Sequence, residues 1–355
     1  MAVGATPGVW SAQNTGPADV EAAIRALNRS QQGGDGVFAP ARVLNLIVIV
    51  DREWRGEIYN RLDRVGRYHP SRTILCAVEP GRGTIDAWVS TTAERDPGPG
   101  ELALVRERVV LDVGPRHLAN LETIVDPLVI SDITTVVWAP HGHEEAVNAL
   151  LGHAQVVLVD SINQPDPRSA VARARELADD AYVVDLAWLR STPWRERVAA
   201  TFDPPRWRSE LARISGVTVR HHPDSGTAAL LLVGWLSCRL GWEPGSLVAR
   251  NGSLTGRARG RRAEVRVALD PDPGQRVPGL AGLTIETASG MSISLDRGAG
   301  GLTARRRTPD GRESIWTVLG ASRGEGGILG EGIRQALLRD PTYRPALACA
   351  EAMLG

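Results

Sequence analysis

Val43-Leu-Asn-Leu-Ile-Val-Ile-Val50 decides the fold. All but Asn45 are apolar, and the run has strand length. Continuity, rather than alternation, is what a parallel strand buried on both faces requires. A helical stretch follows from about Arg52 to Val65. Similar runs recur at Thr73–Val78, Thr134–Trp138 and Val156–Val159, with helical stretches at Pro115–Val125 and Glu144–Leu151 between them. Short apolar strands alternating with helices predict an α/β domain with a wound, largely parallel sheet.

Working outward, Gly81 and Gly83 bracket a turn into Thr84–Thr91, and Leu104–Val113 alternates as its partner. This pair reads as an antiparallel excursion at the sheet edge. Residues 1–16 are rich in Gly, Ala and Thr and are expected to form a mobile arm. Pro17–Arg29 places Val20, Ile24 and Leu27 on one helical face. Ser161–Arg168 carries Asn, Pro, Asp and Pro, the composition of a domain boundary. A helix at Arg168–Ala178, a short strand at Val217–Arg220 and an apolar helix at Thr227–Leu240 come next. Residues 252–318 read as alternating strands joined by Gly turns, including Asp296-Arg-Gly and Pro309-Asp-Gly. Helices at Ile328–Leu338 and Tyr343–Leu354 close the chain. Three parts are expected: an arm and helix over 1–41, an α/β domain over 42–164, and an α+β C-terminal domain with an antiparallel sheet over 165–355.

The 355 residues, 43% of them hydrophobic, are enough for two cores. Basic and acidic residues balance at 41 each, and every one of the former is Arg. A neutral chain argues against a general nucleic-acid binder. The absence of Lys excludes a P-loop and a Schiff-base nucleophile. Val50-Asp-Arg-Glu-Trp54 lacks the glycines that let a backbone approach a pyrophosphate, so no dinucleotide cofactor is expected. No apolar run approaches the ~20 residues of a membrane span. Cys76, Cys238 and Cys349 lie far apart in apolar settings, as reduced thiols of a cytoplasmic protein do.

Four stretches carry side chains capable of chemistry. His141-Gly-His-Glu-Glu145 holds metal-ligand types, but acids at a helix start suit its dipole, and no metal is predicted. His221-His222-Pro-Asp224 reads as a loop. Arg257, Arg259 and Arg261, with Arg305–Arg307, make either a basic patch or a solvated sheet face; charge on such a face prevents aggregation, and that reading is preferred. His69-Pro-Ser-Arg72 joins a helix to a strand. Its Ser71 and Arg72 can bind an anion, or the segment can be a turn held by its own hydrogen bonds.

The densest stretch is Asp185-Leu-Ala-Trp-Leu-Arg-Ser-Thr-Pro-Trp-Arg195, followed by Arg197. Trp and Arg are enriched where proteins grip partners. Ser191 or Thr192 can cap a helix that Pro193 begins, leaving N–H groups for a carboxylate. Trp188, Arg190, Thr192, Trp194 and Arg195 are therefore partner-binding candidates, against the reading that they are ordinary architecture.

That stretch resembles the central motif of the glucose-6-phosphate dehydrogenase assembly proteins, the OpcA family. Arg42-Val-Leu-Asn-Leu-Ile-Val48, His69-Pro-Ser-Arg-Thr-Ile74, Pro127–Pro140, Val159-Asp-Ser-Ile-Asn163 and Gly234-Trp-Leu-Ser-Cys-Arg239 resemble other family segments in the same order. Together they span roughly residues 42 to 240. Ala139 stands where the family usually has a second Trp, and Ala268–Gly327 does not align. The resemblance implies a cytoplasmic, non-catalytic protein that binds glucose-6-phosphate dehydrogenase, promotes its active oligomeric state, and so supports NADPH supply through the oxidative pentose phosphate route. Two alternatives stand beside it. One is a sugar-phosphate-binding enzyme using the His69–Arg72 and Asp185–Arg195 motifs. The other is a nucleic-acid binder using the Arg-rich strands.

Overall fold

The computed structural model describes residues 8–32, 42–66, 70–93, 105–164, 166–298, 300–319 and 324–355. The chain runs through β1 (Gly8–Ala12), α1 (Pro17–Gln32), β2 (Leu44–Asp51), α2 (Arg55–Gly66), β3 (Ser71–Val78), β4 (Asp86–Ala93), β5 (Val105–Val113), α3 (Leu121–Val125), β6 (Thr134–Trp138), α4 (Glu144–Leu150), β7 (Val156–Val159), α5 (Pro167–Asp180) and β8 (Tyr182–Asp185). It continues through α6 (Leu186–Arg190), α7 (Thr192–Phe202), α8 (Pro205–Leu211), β9 (Ile214–His221), α9 (Gly226–Leu240), β10 (Glu243–Pro244), β11 (Val248–Arg250), β12 (Ser253–Arg259), β13 (Glu264–Pro271), β14 (Leu280–Thr287), β15 (Ser292–Gly298), β16 (Gly301–Arg307), β17 (Glu313–Leu319), α10 (Gly324–Leu338) and α11 (Tyr343–Leu354).

These elements form two compact units. The first takes the described residues up to Val159, with Asp180–Val184 and Glu325–Leu338; the second takes the rest. The first holds an eight-stranded sheet in the order β1-β4-β5-β3-β2-β6-β7-β8. Strand β2 lies parallel to both β3 and β6. Every residue of its apolar run from Leu44 to Val50 is buried, the outcome that its continuity demands. Asn45 sits in that run with its amide satisfied: Nδ2 donates to Ile130 O at 2.9 Å, and Oδ1 accepts from Ile130 N at 3.0 Å. The expected antiparallel excursion is the β4–β5 pair.

Three expectations are corrected. Part of the supposed mobile arm is strand β1, which covers the outer edge of β4 from Gly8 opposite Thr91 to Ala12 opposite Ala87. An open edge offers unpaired backbone groups, and five residues too short to show a sustained pattern, Gly-Val-Trp-Ser-Ala, can pair with it. Strand β8 was not expected; its Tyr-Val-Val-Asp is too short to stand out. The C-terminal part is not one continuous domain, because α10 belongs to the first unit. Its buried Ile328, Leu329 and Ile333 need an apolar surface, and a Cβ at Gly330 would meet the Val65 side chain of α2 at 3.9 Å.

The second unit carries a mostly antiparallel nine-stranded sheet, ordered β10-β12-β13-β9-β14-β15-β16-β17, with β11 beside β12. Among the described residues its one parallel pair is β13 with β9. Helix α9 is apolar nearly all round, as a buried helix must be. It packs on β9 and β13 and against α11, where Gly234 leaves room for the Ala346 carbonyl. Among the described residues no helix is long and apolar enough to cross a membrane. Cys76 is buried, and Cys238 and Cys349 are half-buried; all three are free thiols.

Candidate functional site

The Asp185–Arg195 stretch folds as two short helices turned around Ser191. Asp185 ends β8 and caps α6: its Oδ1 accepts from Ala187 N at 2.8 Å and Ser161 N at 3.2 Å. Its Oδ2 accepts from the Tyr343 hydroxyl at 3.3 Å. Burial of this carboxyl, reinforced by the nearby negative charge of Asp160, pushes its pKa up to about 6. Arg190 forks onto Asp160, with Nη1 and Nη2 each 2.8 Å from a different carboxylate oxygen.

The Trp188 indole is 2% exposed. Its Nε1 donates to Asp340 Oδ2 at 3.3 Å, and its ring lies 5.6 Å from that of Tyr343. The Arg195 guanidinium stacks over it at 3.5 Å from the ring centre. Arg195 donates only to neutral oxygens: Ser191 Oγ at 3.2 Å, Thr192 Oγ1 at 2.9 Å and Trp188 O at 3.3 Å. Burial lowers its pKa to about 10, which still leaves it charged near neutrality.

This stretch is therefore not an exposed aromatic surface. Trp188 and Trp194 are both core, and Arg195 is buried with them. Arg190, Thr192 and Arg197 remain half-buried and reach solvent. The cap also differs from expectation. Ser191 stands at the cap of α7, but its hydroxyl donates back to Trp188 O at 2.7 Å instead of capping the helix. Pro193 lies in the first turn as expected. The partners of the motif escaped the sequence reading. Asp160 lies in the Val159–Asn163 turn and was within reach of it, but Asp340 and Tyr343 lie some 150 residues away without a local signal.

The other candidates resolve by geometry. His69 lies outside the described residues. Arg72 and Ser71 are both nearly buried in the first unit. Arg72 donates to Glu107 Oε2 at 2.7 Å and to Leu128 O at 2.8 Å, and Ser71 Oγ pairs with Thr73 Oγ1 at 3.2 Å. Their polar groups are thus engaged within the fold. Beyond the ends of β2 and β6, where ligands of wound sheets often lie, His143 Nε2 is 3.2 Å from Asp51 Oδ1 and His141 rests on Trp54. Burial lowers the His141 pKa. Among the described residues no group of three His, Cys, Asp or Glu is placed to hold a metal. His222 Nδ1 accepts from Asp224 N, so that pair is a turn. Arg257, Arg259 and Arg305 pair with Glu264, Glu243 and Glu313, which favours the solvated sheet face over a basic patch. Arg306 points to the opposite face.

Residues 63–176 match the glucose-6-phosphate dehydrogenase subunit N-terminal domain of the OpcA family, and residues 181–347 match its C-terminal domain. The chain belongs to this family. A protein of Synechococcus elongatus with the provisional name OxPP cycle protein OpcA is 26% identical over 58% of this chain and 46% of its own length. A Synechocystis protein of the same name is 25% identical over 51% of this chain and 39% of its own. The match thus spans less than half of these relatives. Among solved structures, the WlbA dehydrogenase of Thermus thermophilus, crystallised with NAD and α-ketoglutarate, is 14% identical with a TM-score of 0.45, over 87% of this chain and 94% of that one.

Proposed function

We propose that this OpcA-family chain is a non-catalytic partner of glucose-6-phosphate dehydrogenase that binds it and shifts it toward its active oligomeric state. The observation that carries this reading is the pair of family domains, in order and nearly contiguous, from residue 63 to 347. The closed character of the Asp185–Arg195 cluster supports the non-catalytic part. Its only carboxylate with a strongly raised pKa is covered by protein, and general acid–base work needs a group within reach of substrate.

In this reading the motif acts in two layers. Trp188, Trp194 and Arg195 form a stiff support, and Arg190 and Thr192 present the polar edge that meets the partner. An activator works only by binding the active form better, and a tenfold preference needs about 1.4 kcal/mol of differential contact. One charged contact at such an edge supplies that much.

The test mixes the purified chain with the dehydrogenase of its own organism. Light scattering follows oligomer size, and NADPH production follows activity. A rise in both, saturating with added chain, supports the proposal. Unchanged size and rate across a wide titration would refute it.

A further inference from the structure

Helices α7 and α8 meet the outer strand β16 where Thr201 and Trp207 contact Arg306. A cavity of about 270 Å³ remains, lined by Arg197, Ala200, Thr201, Ala304, Arg306, Ser314 and Trp316. It lies wholly within the second unit. Strand alternation explains why Arg306 is there: Arg305 and Arg307 face solvent, whereas Arg306 shares its face with the buried Leu302 and Ala304.

Arg306 is held as if for a purpose other than pairing. Its guanidinium lies near two indoles, 4.8 Å from the centre of the Trp207 ring and 5.2 Å from that of Trp316. Nη2 donates to Thr201 O at 3.1 Å, and the buried Nε has no hydrogen-bond partner. The Trp207 Nε1–H is likewise buried and unpartnered. Arg197 lines the same cavity, and Arg206 adds a third cation, stacked on Trp207 at 5.2 Å. Burial and the like charge of Arg206 lower the Arg306 pKa. Among the described residues no carboxylate pairs with any of the three. Elsewhere on this sheet arginines are matched: Arg257, Arg259, Arg266 and Arg305 each hold a glutamate. A half-buried cation beside like charges, with an unused donor, is unfavourable unless an anion completes it.

We infer that this cavity binds the phosphate group of a small phosphate monoester. Three converging cations favour a dianion over a single carboxylate, and guanidinium forks match phosphate oxygens. The cavity is small, so the ligand is compact. Arg306 already lies over one face of each indole, which leaves less aromatic surface to stack a nucleobase and disfavours a nucleotide. Ser314 at the rim adds a neutral donor. This inference concerns the chain alone and does not depend on the dehydrogenase reading.

The test is thermal melting of the full chain in inorganic phosphate against chloride of matched ionic strength, with glycerol phosphate and succinate as further arms. Binding to the folded state raises the melting temperature. Phosphate and glycerol phosphate should each raise it by several degrees, and succinate by much less. Equal stabilisation by succinate would instead assign the cavity to the acidic side chains of a partner and overturn the phosphate assignment. Arg197→Ala and Arg206→Ala, both at solvent-reaching positions, should abolish the phosphate effect. Without phosphate, Arg206→Ala should melt no lower than the wild type, because it removes a like charge. Arg306→Gln is the deeper probe, and the two outer variants keep the test valid if it fails to fold. No phosphate-specific shift in the wild type, or an equal shift in Arg197→Ala and Arg206→Ala, would overturn the inference.

Discussion

Replacing Asp185 by Asn removes a buried charge while leaving its geometry nearly intact. The side-chain oxygen of Asn can still accept from Ser161 N and Ala187 N, which the carboxylate holds at 3.2 and 2.8 Å. Its NH₂ would face the Tyr343 hydroxyl, which can turn from donor to acceptor. The carboxyl pKa is pushed from the usual 3.8 to about 6. A shift of about two units corresponds to roughly 3 kcal/mol between the protonation states. The sign follows from linkage. A raised acid pKa means that the folded state holds its proton longer than the unfolded chain does. The contribution of Asp185 is therefore greatest below about pH 4, declines as pH rises through about 4–6, and stays lost above that range. Asp185→Asn should not show this decline. At pH 7 it should be more stable than the wild type by up to ~3 kcal/mol, and the two should converge toward pH 4. Urea unfolding at a series of pH values measures this directly. Parallel pH profiles for the two proteins would show that the buried carboxyl is not strained by its charge and would refute this reasoning.

Arg190→Ala removes the fork on Asp160 and should cost about 2 kcal/mol in urea unfolding; if the motif edge meets the dehydrogenase, activation should weaken more than stability explains. Glu107 is 1% exposed and accepts from Asn28, Arg42 and Arg72. Burial pushes its pKa up, but the Arg72 hydrogen bond and the charges of Arg72 and Arg42 more than reverse this and lower it. Its stabilising contribution should be present at neutral pH and vanish as pH falls through that lowered value, and Glu107→Gln should cost about 3 kcal/mol at pH 7 because two arginines lose their counter-ion. A Cβ at Gly234 would strike the Ala346 carbonyl oxygen, so Gly234→Ala should lower stability by about 2 kcal/mol, and an unchanged melting temperature would count against that tight packing of α9 on α11. Cys76 is fully buried with its pKa pushed up to about 12 and should resist alkylation in the folded state, while Cys238 and Cys349 react; equal labelling by mass spectrometry would contradict the burial pattern.

The sequence by itself determined the long, patterned elements of this protein. The apolar runs at β2, β3, β6 and β7 could only be covered strands, because an unbroken apolar stretch of that length has no face to offer water. Helix α9 and the helices α10 and α11 were equally legible from period and length. The missing glycines after β2 argue against a bound dinucleotide, and the absence of Lys removes a P-loop and Schiff-base chemistry on residue type alone. Tertiary packing decided the rest. It laid β1 on the edge of β4, moved α10 into the first unit and turned Trp188 and Trp194 inward. It also chose the partners of the motif: Asp160 for Arg190, and Asp340 and Tyr343 for Trp188, the latter two about 150 residues distant. It set Arg306 beside Arg197 and Arg206. Periodicity reports which face a residue shares with its neighbours in the chain. Ion pairs and burial are set by which distant segments meet that face, and the packing of the whole unit selects those segments.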